Sequence, residues 1–405
     1  MVESSQGQRD SALRNERKVT LLKAVTGVFP KEHDRLFAVQ TVPEKKPVPA
    51  MQTGNPRNAA NDPPQRRRDI LVSCFRVTTT CLILLLTLIC APGQARGQER
   101  TGWPSHLRIL TGPDGGQWAN LGNLMSKTLS QDVLPTTSRL GGGTANIDNV
   151  NQKLGDICFT LSSFMGAGQS GKDRIVSVST NNIAILSNIY PQVLYFLVRK
   201  TFAEQHGITS VSSLFAKKIP LRFASLKPGT ASETVLSLLF THGFNTSFAQ
   251  LREQGWDIRF TNYPEAADSF ASGDLDCFAY TAGTVVPLIQ TIETYIDILI
   301  LPMDKDILDT LKKKLATYTY TIEPGIYKSV TKPVPTLGDY TVVAIRKDLP
   351  DDLAYAVAKS LWQRRDTLTE GVRDFGQISP KTAVPKGLPV HPGAKRFWET
   401  LEQQQ

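Results

Sequence analysis

From Leu107 onward, short apolar bursts alternate with stretches of helical period. Leu107-Arg108-Ile109-Leu110 reads as a strand, and Gly112-Pro113-Asp114-Gly115-Gly116 turns the chain where side chains would strain. Beyond the turn, Trp118, Leu121, Leu124, Met125 and Leu129 recur at helical spacing. After a second strand the device repeats, with Leu140-Gly141-Gly142-Gly143-Thr144 opening a helix that carries Ile147, Val150 and Leu154 on one face. A third strand through Ile157-Cys158-Phe159 exits at Ser162 and Ser163. Strand, glycine turn and helix in this order predict an open, mostly parallel α/β sheet, with loops and helix starts gathered at the carboxyl ends of the strands, where such sheets bind ligands.

Ser179 to Arg199 carries two apolar runs around Tyr190-Pro191, and Leu194 to Arg199 reads as a strand leaving the first lobe. A short helix is expected over Val211 to Lys218 and a strand over Leu221 to Ala224. That strand runs into Lys227-Pro228-Gly229-Thr230-Ala231-Ser232-Glu233, where Thr-x-x-Glu is a capping box for a helix through Leu236, Leu239 and Phe240. Ser269 to Phe278 echoes Gln152 to Phe159: a helix end, glycine, aspartate, then a strand with a cysteine. Gly283 and Thr284 then stand where Ser162 and Ser163 stand in the first lobe. Residues 318–336, rich in aromatics and proline, read as a connection recrossing between lobes, followed by a strand over Thr341 to Ile345 and a helix over Leu353 to Leu361. The expected organisation is one lobe from 101–195 with 335–405, a second from 196–317, and a hinge connection at 318–334.

The first hundred residues follow a different pattern. Residues 1–68 are polar and proline-dotted, as in a disordered extension. Arg66, Arg67, Arg68 and Arg76 precede an apolar run from Val77 to Cys90, short for a bilayer-spanning helix and fitting the core of a signal peptide over 69–97. Small residues at Ala91, Gly93, Ala95 and Gly97 put cleavage near Ala95 or Gly97. Arg67-Arg68 also resembles a twin-arginine signal, Cys90 a lipoprotein anchor preceded by too large an isoleucine, and Met51 an alternative start. Residues 1–97 hold 15 of the 46 Lys and Arg and 8 of the 37 Asp and Glu, so the net +9 divides into +7 there and +2 over residues 98–405. The body therefore carries no polyanion footprint, and no nucleic-acid partner is expected.

Candidate chemistry is that of a pocket. Glycine turns at Gly115-Gly116 and Gly143-Thr144 open helices whose first amides favour an anion, or else serve as tight connections. Thr144 is placed to cap its helix, Ser162 and Ser163 to offer hydroxyls, and Lys227 to offer a cation or simply to be solvated. Neither a Walker loop nor a Gly-x-Ser-x-Gly elbow occurs, and the histidines are scattered. Cys158 and Cys277 sit in apolar strands as small buried hydrophobes, with no spacing that signals a disulfide or a metal. No catalytic residue, metal or cofactor is expected.

Over about 105–400 the chain resembles the TAXI family of solute-binding proteins, the extracytoplasmic receptors of a class of TRAP transporters. The residues that carry the resemblance are Gly115-Gly116 with Gly122, Gly142-Gly143-Thr144, Gly155-Asp156, Pro228-Gly229-Thr230-Ala231-Ser232, Gly273 with Asp276, and the tail His391-Pro392-Gly393-Ala394-Lys395-Arg396-Phe397-Trp398-Glu399. The resemblance implies an α/β, two-lobed, hinged periplasmic-binding-protein fold of type II. It further implies a periplasmic monomer that holds glutamate, another amino acid or a dicarboxylate such as 2-oxoglutarate between its lobes and delivers it to TRAP membrane subunits. The ligand set expected here, from the strand-exit and loop positions together with the resemblance, is Gly115, Gly116, Gln117, Trp118, Gly143, Thr144, Ser162, Ser163, Lys227, Gly229, Thr230, Ala231, Ser232, Gly283 and Thr284. The chain departs from the family at Gln117 and Trp118, where aromatic residues, often a tyrosine pair, are usual, and at Leu161 and Ser163, where Gln and Asp are frequent. A receptor feeding a membrane sensor is the alternative, and an exported hydrolase a more distant one.

Overall fold

The computed structural model describes residues 101–168 and 176–404; the expected extension, signal peptide, cleavage site and alternative start all lie outside the described residues. Its first half opens with β1 (Leu107–Leu110), α1 (Gln117–Asp132), β2 (Thr136–Arg139), α2 (Gly143–Asn151), β3 (Ile157–Leu161) and α3 (Ser162–Ala167). A long β4 (Ile183–Arg199) leads into α4 (Lys200–His206), α5 (Val211–Ala216), β5 (Leu221–Leu226), α6 (Ala231–Phe244), α7 (Phe248–Glu253), β6 (Trp256–Thr261), α8 (Tyr263–Ser272) and β7 (Cys277–Ala282). Then come α9 (Pro287–Ile292), β8 (Ile298–Ile300), α10 (Lys305–Leu315), β9 (Tyr318–Ile322) and β10 (Val334–Arg346). The chain closes with α11 (Asp351–Gln363), α12 (Arg365–Gly371), a 3-10 turn (Arg373–Gln377), α13 (Pro380–Ala383) and α14 (Pro392–Glu402).

The strands form one ten-stranded sheet with the path β2-β1-β3-β10-β4-β7-β5-β6, β8 pairing with β4 and β9 with β10. β1 lies parallel to β2 and β3, and β5 parallel to β6 and β7, while β10 and β4 run antiparallel through the middle. The two halves are built alike. In the first, β2-β1-β3 is followed by β10, which returns from the end of the chain, and then by β4; in the second, β6-β5-β7 is followed by the far part of β4 and then by β8. This order, with one strand in each half supplied by a crossing segment, is the type II periplasmic-binding-protein arrangement expected from the sequence.

The echo between Gln152–Phe159 and Ser269–Phe278 is an anchor at the foot of each half. Arg108 donates from its backbone N and Nε to Asp156 Oδ2 at 2.9 and 2.8 Å, and Arg222 does the same to Asp276 at 3.0 and 2.9 Å. The Arg108 guanidinium also reaches the carbonyl of Lys153, and that of Arg222 the carbonyl of Gly273, both at 2.7 Å. These carboxylates are buried, and paired donors are what make a buried charge tolerable. The cysteines are one place out of register. Ile109 pairs with Ile157 where Phe223 pairs with Cys277, so Cys158 answers to Phe278. Both thiols are free and buried, and burial pushes that of Cys158 up to about 12.

Helical periods predicted most of the buried faces. Leu121, Met125 and Leu129 of α1 are fully buried, each worth about 2 kcal/mol of hydrophobic stabilisation. Leu154 is a correction. Lys153 takes a left-handed conformation (φ 58°) after α2 ends, and Leu154 turns out, 51% exposed. The segment 318–336 is not a bare connection either, because Tyr318–Ile322 and Val334–Gly338 pair as an antiparallel ladder. β4 likewise runs straight through Tyr190-Pro191. Pro191 faces Tyr340 beside a register shift between Thr341 and Val342, which lets a central ladder take a residue with no N–H.

Candidate functional site

The loops after β1, β2, β5 and β7 all lie at carboxyl ends of parallel strands, and those of one half meet those of the other. The loop before α2 lies on the start of α6 with its main chain in contact: a Cβ on Gly142 would stand 2.8 Å from the Gly229 carbonyl oxygen, and one on Gly143 2.9 Å from Ala231 Cβ. Ala145 N donates to Gly229 O at 3.1 Å, and the hydroxyls of Thr144 and Thr234 are 3.2 Å apart. On the other side of the cleft Gln117, at the start of α1, accepts from Gly283 N at 2.8 Å and donates to Val285 O at 3.3 Å. Asp374, in the 3-10 turn, accepts from Thr284 N at 2.9 Å, from the Thr284 hydroxyl, and from the amides of Gln117 and Gln377 at 3.0 and 2.9 Å.

These contacts close over a cavity of about 20 Å³ lined by Pro113, Gly116, Gln117, Trp118, Gln192, Leu226, Thr230, Ala231, Ser232, Tyr263, Thr281 and Ala282. That is room for about one water molecule. A larger groove of about 430 Å³ adjoins it, sharing Gly116, Gln117, Tyr263 and Ala282 and continuing along Asn120, Val285, Pro287, Gln290 and Arg373. The cavity and the groove thus share one wall of the cleft.

The inner wall carries dipoles and no formal charge. Gln117 and Trp118 begin α1, Ala231 and Ser232 begin α6, and the first amides of a helix have no intrahelical acceptor, so two positive helix ends from different halves converge on one space. The side chain of Thr230 caps α6 by accepting from Glu233 N at 3.3 Å. The capping box is offset by one residue, because Glu233 accepts from Gly229 N. Burial raises the Glu233 carboxyl, and the Gly229 amide pulls it back. Ser232 Oγ accepts from Thr281 N at 3.0 Å, and the Tyr263 hydroxyl donates to Thr281 O at 3.1 Å. Burial raises the Tyr263 hydroxyl well above its ordinary value, which keeps it a neutral donor.

Six of the residues expected at the site line this cavity: Gly116, Gln117, Trp118, Thr230, Ala231 and Ser232. Gly115 lines the outer groove. Gly143, Thr144 and Gly229 form the contact between halves, and Gly283 and Thr284 form the contact with Gln117 and Asp374. Ser162 and Ser163 lie outside the lining because both hydroxyls are bound to the carboxylate of Asp339 on β10. Lys227 is exposed. Sequence reasoning missed Gln192, Leu226, Tyr263 and Thr281 on the cavity wall, which belong to strands or to a helix start with no glycine signature. It also missed Asn146, fully buried on α2, which donates to the carbonyls of Thr111 and Phe159 at 2.8 Å and accepts from Gly142 N at 2.9 Å, pinning the loops after β1 and β2 to β3.

Two similarly built α/β halves facing each other across a cavity of helix starts and hydroxyls define a hinged cleft protein. The profile of the NMT1-like family matches residues 109–400, and the chain belongs to that family. Among solved structures, it is similar to MatC from Rhodopseudomonas palustris with bound malate, at 14% identity over 74% of this chain and 98% of that one, with a TM-score of 0.43. It is also similar to an amino acid ABC transporter substrate-binding protein from Streptococcus pneumoniae bound to L-arginine, at 16% identity over 68% and 95%, TM-score 0.38. A third is the alkanesulfonate-binding protein SsuA from Xanthomonas axonopodis pv. citri bound to MOPS, at 12% identity over 73% and 84%, TM-score 0.38. The ligands named are those proteins' own.

Proposed function

We propose that this protein is an extracytoplasmic solute-binding receptor that holds a small organic acid or amino acid between its two halves. The resemblance to TAXI proteins supports a place beside TRAP membrane subunits and a ligand of the glutamate or 2-oxoglutarate kind. The observation that carries the reading is the convergence of the α1 and α6 starts, one from each half, on a single cavity with no charged side chain. A ligand that touches both ends favours the closed form by as much as it prefers that form to the open one. Ser232, the serine on the wall, is bound to Thr281 rather than to a base, which fits capture without reaction.

Trp118 is buried on the cavity wall and stacks against Phe159 at 5.9 Å between ring centroids, so its emission reports occupancy. Titrating the purified protein with organic and amino acids, by tryptophan fluorescence and calorimetry, is expected to show one saturable site. No saturable response and no thermal shift with any of them would overturn the receptor reading.

A further inference from the structure

The outer groove, at about 430 Å³, has the size of a small-molecule site, and the cavity of about 20 Å³ beside it does not. Its walls come from both halves: Gly116 and Gln117 at the start of α1 and Arg373 at the 3-10 turn on one side, Val285 in the loop after β7 and Leu288 on α9 on the other. Among the described residues Arg373 is the only charged residue in that lining, with no Asp or Glu beside it. The carboxylate next to it in the chain is already satisfied. Asp374 takes four neutral donors, the amide and hydroxyl of Thr284 and the side-chain amides of Gln117 and Gln377, which fill the sites its two oxygens have to give. These bonds pin the 3-10 turn to the loop after β7 and leave the Arg373 guanidinium exposed, with no ion pair or hydrogen bond among the described residues.

A guanidinium keeps its charge at any working pH and offers its donors as a planar fork that matches a carboxylate. The start of α1 adds to the same potential. Its cap, Gly116, has no side chain to close the helix, where α6 and α8 are closed by Thr230 and Asn262, and the amides of Gln117 and Trp118 have no acceptor among the described residues. Resting on the receptor reading above, we propose that Arg373 is the residue that reads the solute's carboxylate, and that this carboxylate lies in the outer groove, which the guanidinium and the open start of α1 both line, rather than in the inner cavity. A solute held there touches both halves, so the contact that recognises the acid also favours the closed form.

The test is calorimetry of the purified protein with 2-oxoglutarate, L-glutamate, succinate and 4-methylpentanoate, each compared with its primary amide, in the parent, Arg373→Gln and Arg373→Lys. Arg373→Gln is expected to weaken every acid that binds by about tenfold and its amide by less than about twofold, and Arg373→Lys, which keeps the charge and loses the fork, to fall between. The loss of acid affinity with added salt is expected to flatten in Arg373→Gln, and thermal melts of the free variants to match the parent, because no side-chain contact within the protein is removed. An acid that binds the parent and Arg373→Gln equally well overturns the inference and leaves the receptor reading standing. Equal losses for acid and amide also overturn it, since Arg373 would then shape the groove without reading charge. No saturable binding of any acid overturns the receptor reading and the inference together.

Discussion

The side-chain oxygen of Gln117 accepts the amide proton of Gly283 at 2.8 Å, joining the first helix of one half to the loop after β7 of the other. The same glutamine amide donates to Asp374, which also takes both the amide and the hydroxyl protons of Thr284. This side of the cleft is thus bridged by side chains of one half bonded to main chain of the other.

A Cβ at position 283 would fall 2.0 Å from Asp374 Oδ2 and 2.5 Å from Gln117 Oε1. Gly283→Ala is therefore expected to prop the cleft open, giving a larger radius of gyration by small-angle scattering. Asp374→Asn, which turns an acceptor into a donor facing the Thr284 amide, is expected to weaken closure by about 1 kcal/mol per hydrogen bond lost. Scattering curves of both variants that superimpose on that of the parent would remove this account of closure.

The anchors at the feet of the halves govern stability instead. Asp156 holds Arg108 and Arg346, at 2.8 and 2.9 Å, and Asp276 holds Arg222. Removing a buried carboxylate leaves backbone amides and guanidinium groups without their acceptor, at a cost of about 3 kcal/mol. Asp156→Ala and Asp276→Ala are each expected to lower the urea midpoint by a matching amount, with solute binding intact in whatever fraction remains folded. A midpoint unchanged in either variant would mean that its anchor contributes nothing.

Burial raises the Asp339 carboxyl from its ordinary 3.8, against the opposing pull of hydrogen bonds from Ser163, Ser162 and Tyr340. A carboxyl whose folded value is raised keeps its proton longer in the folded chain, so its contribution is fully present below 3.8 and is lost as pH climbs through the raised value. Urea titrations from about pH 3 to pH 7 are expected to show Asp339→Asn gaining on the parent as pH rises. Parallel stability curves would contradict this.

Histidine 391 gives the opposite slope. Its Nδ1 accepts from Gly393 N at 3.3 Å and its Nε2 donates to Leu349 O at 3.1 Å, an arrangement that only the neutral ring satisfies. Burial lowers its value below 6.5, although Asp351 and the Leu349 carbonyl pull upward. The neutral ring's contribution is fully present above 6.5 and is lost as pH falls through the lowered folded value. The melting temperature of the parent is expected to drop between about pH 7.5 and pH 5 by more than that of His391→Gln. Equal drops would show that the ring does not titrate with unfolding.

Much of the scaffold was legible because it rests on period. Trp118, Leu121, Met125 and Leu129 come from one helical stripe, and the glycine turns announced where helices begin. The anchors were half legible: the Gly-Asp echo was visible, but the arginines that give it meaning, Arg108 and Arg222, look like ordinary polar positions in alternating strands. The cavity was legible only where a helix start coincides with it. Gln192 and Thr281 sit on neighbouring strands, β4 and β7, that come together from distant parts of the chain, and nothing local marks a strand residue as facing a cavity. The tail motif was read as a signature and turns out to be a cap, His391 holding the first turn of α14 while its imidazole reaches Leu349.

The Arg–Asp pairs lie at the amino ends of β1 and β5, and the cavity lies beyond their carboxyl ends. What keeps each half standing and what reads the solute are thus set a full strand length apart. Loops over the cavity can drift through sequence change while the foundations stay put, and descendants of this chain are free to take up new cargo without first becoming fragile.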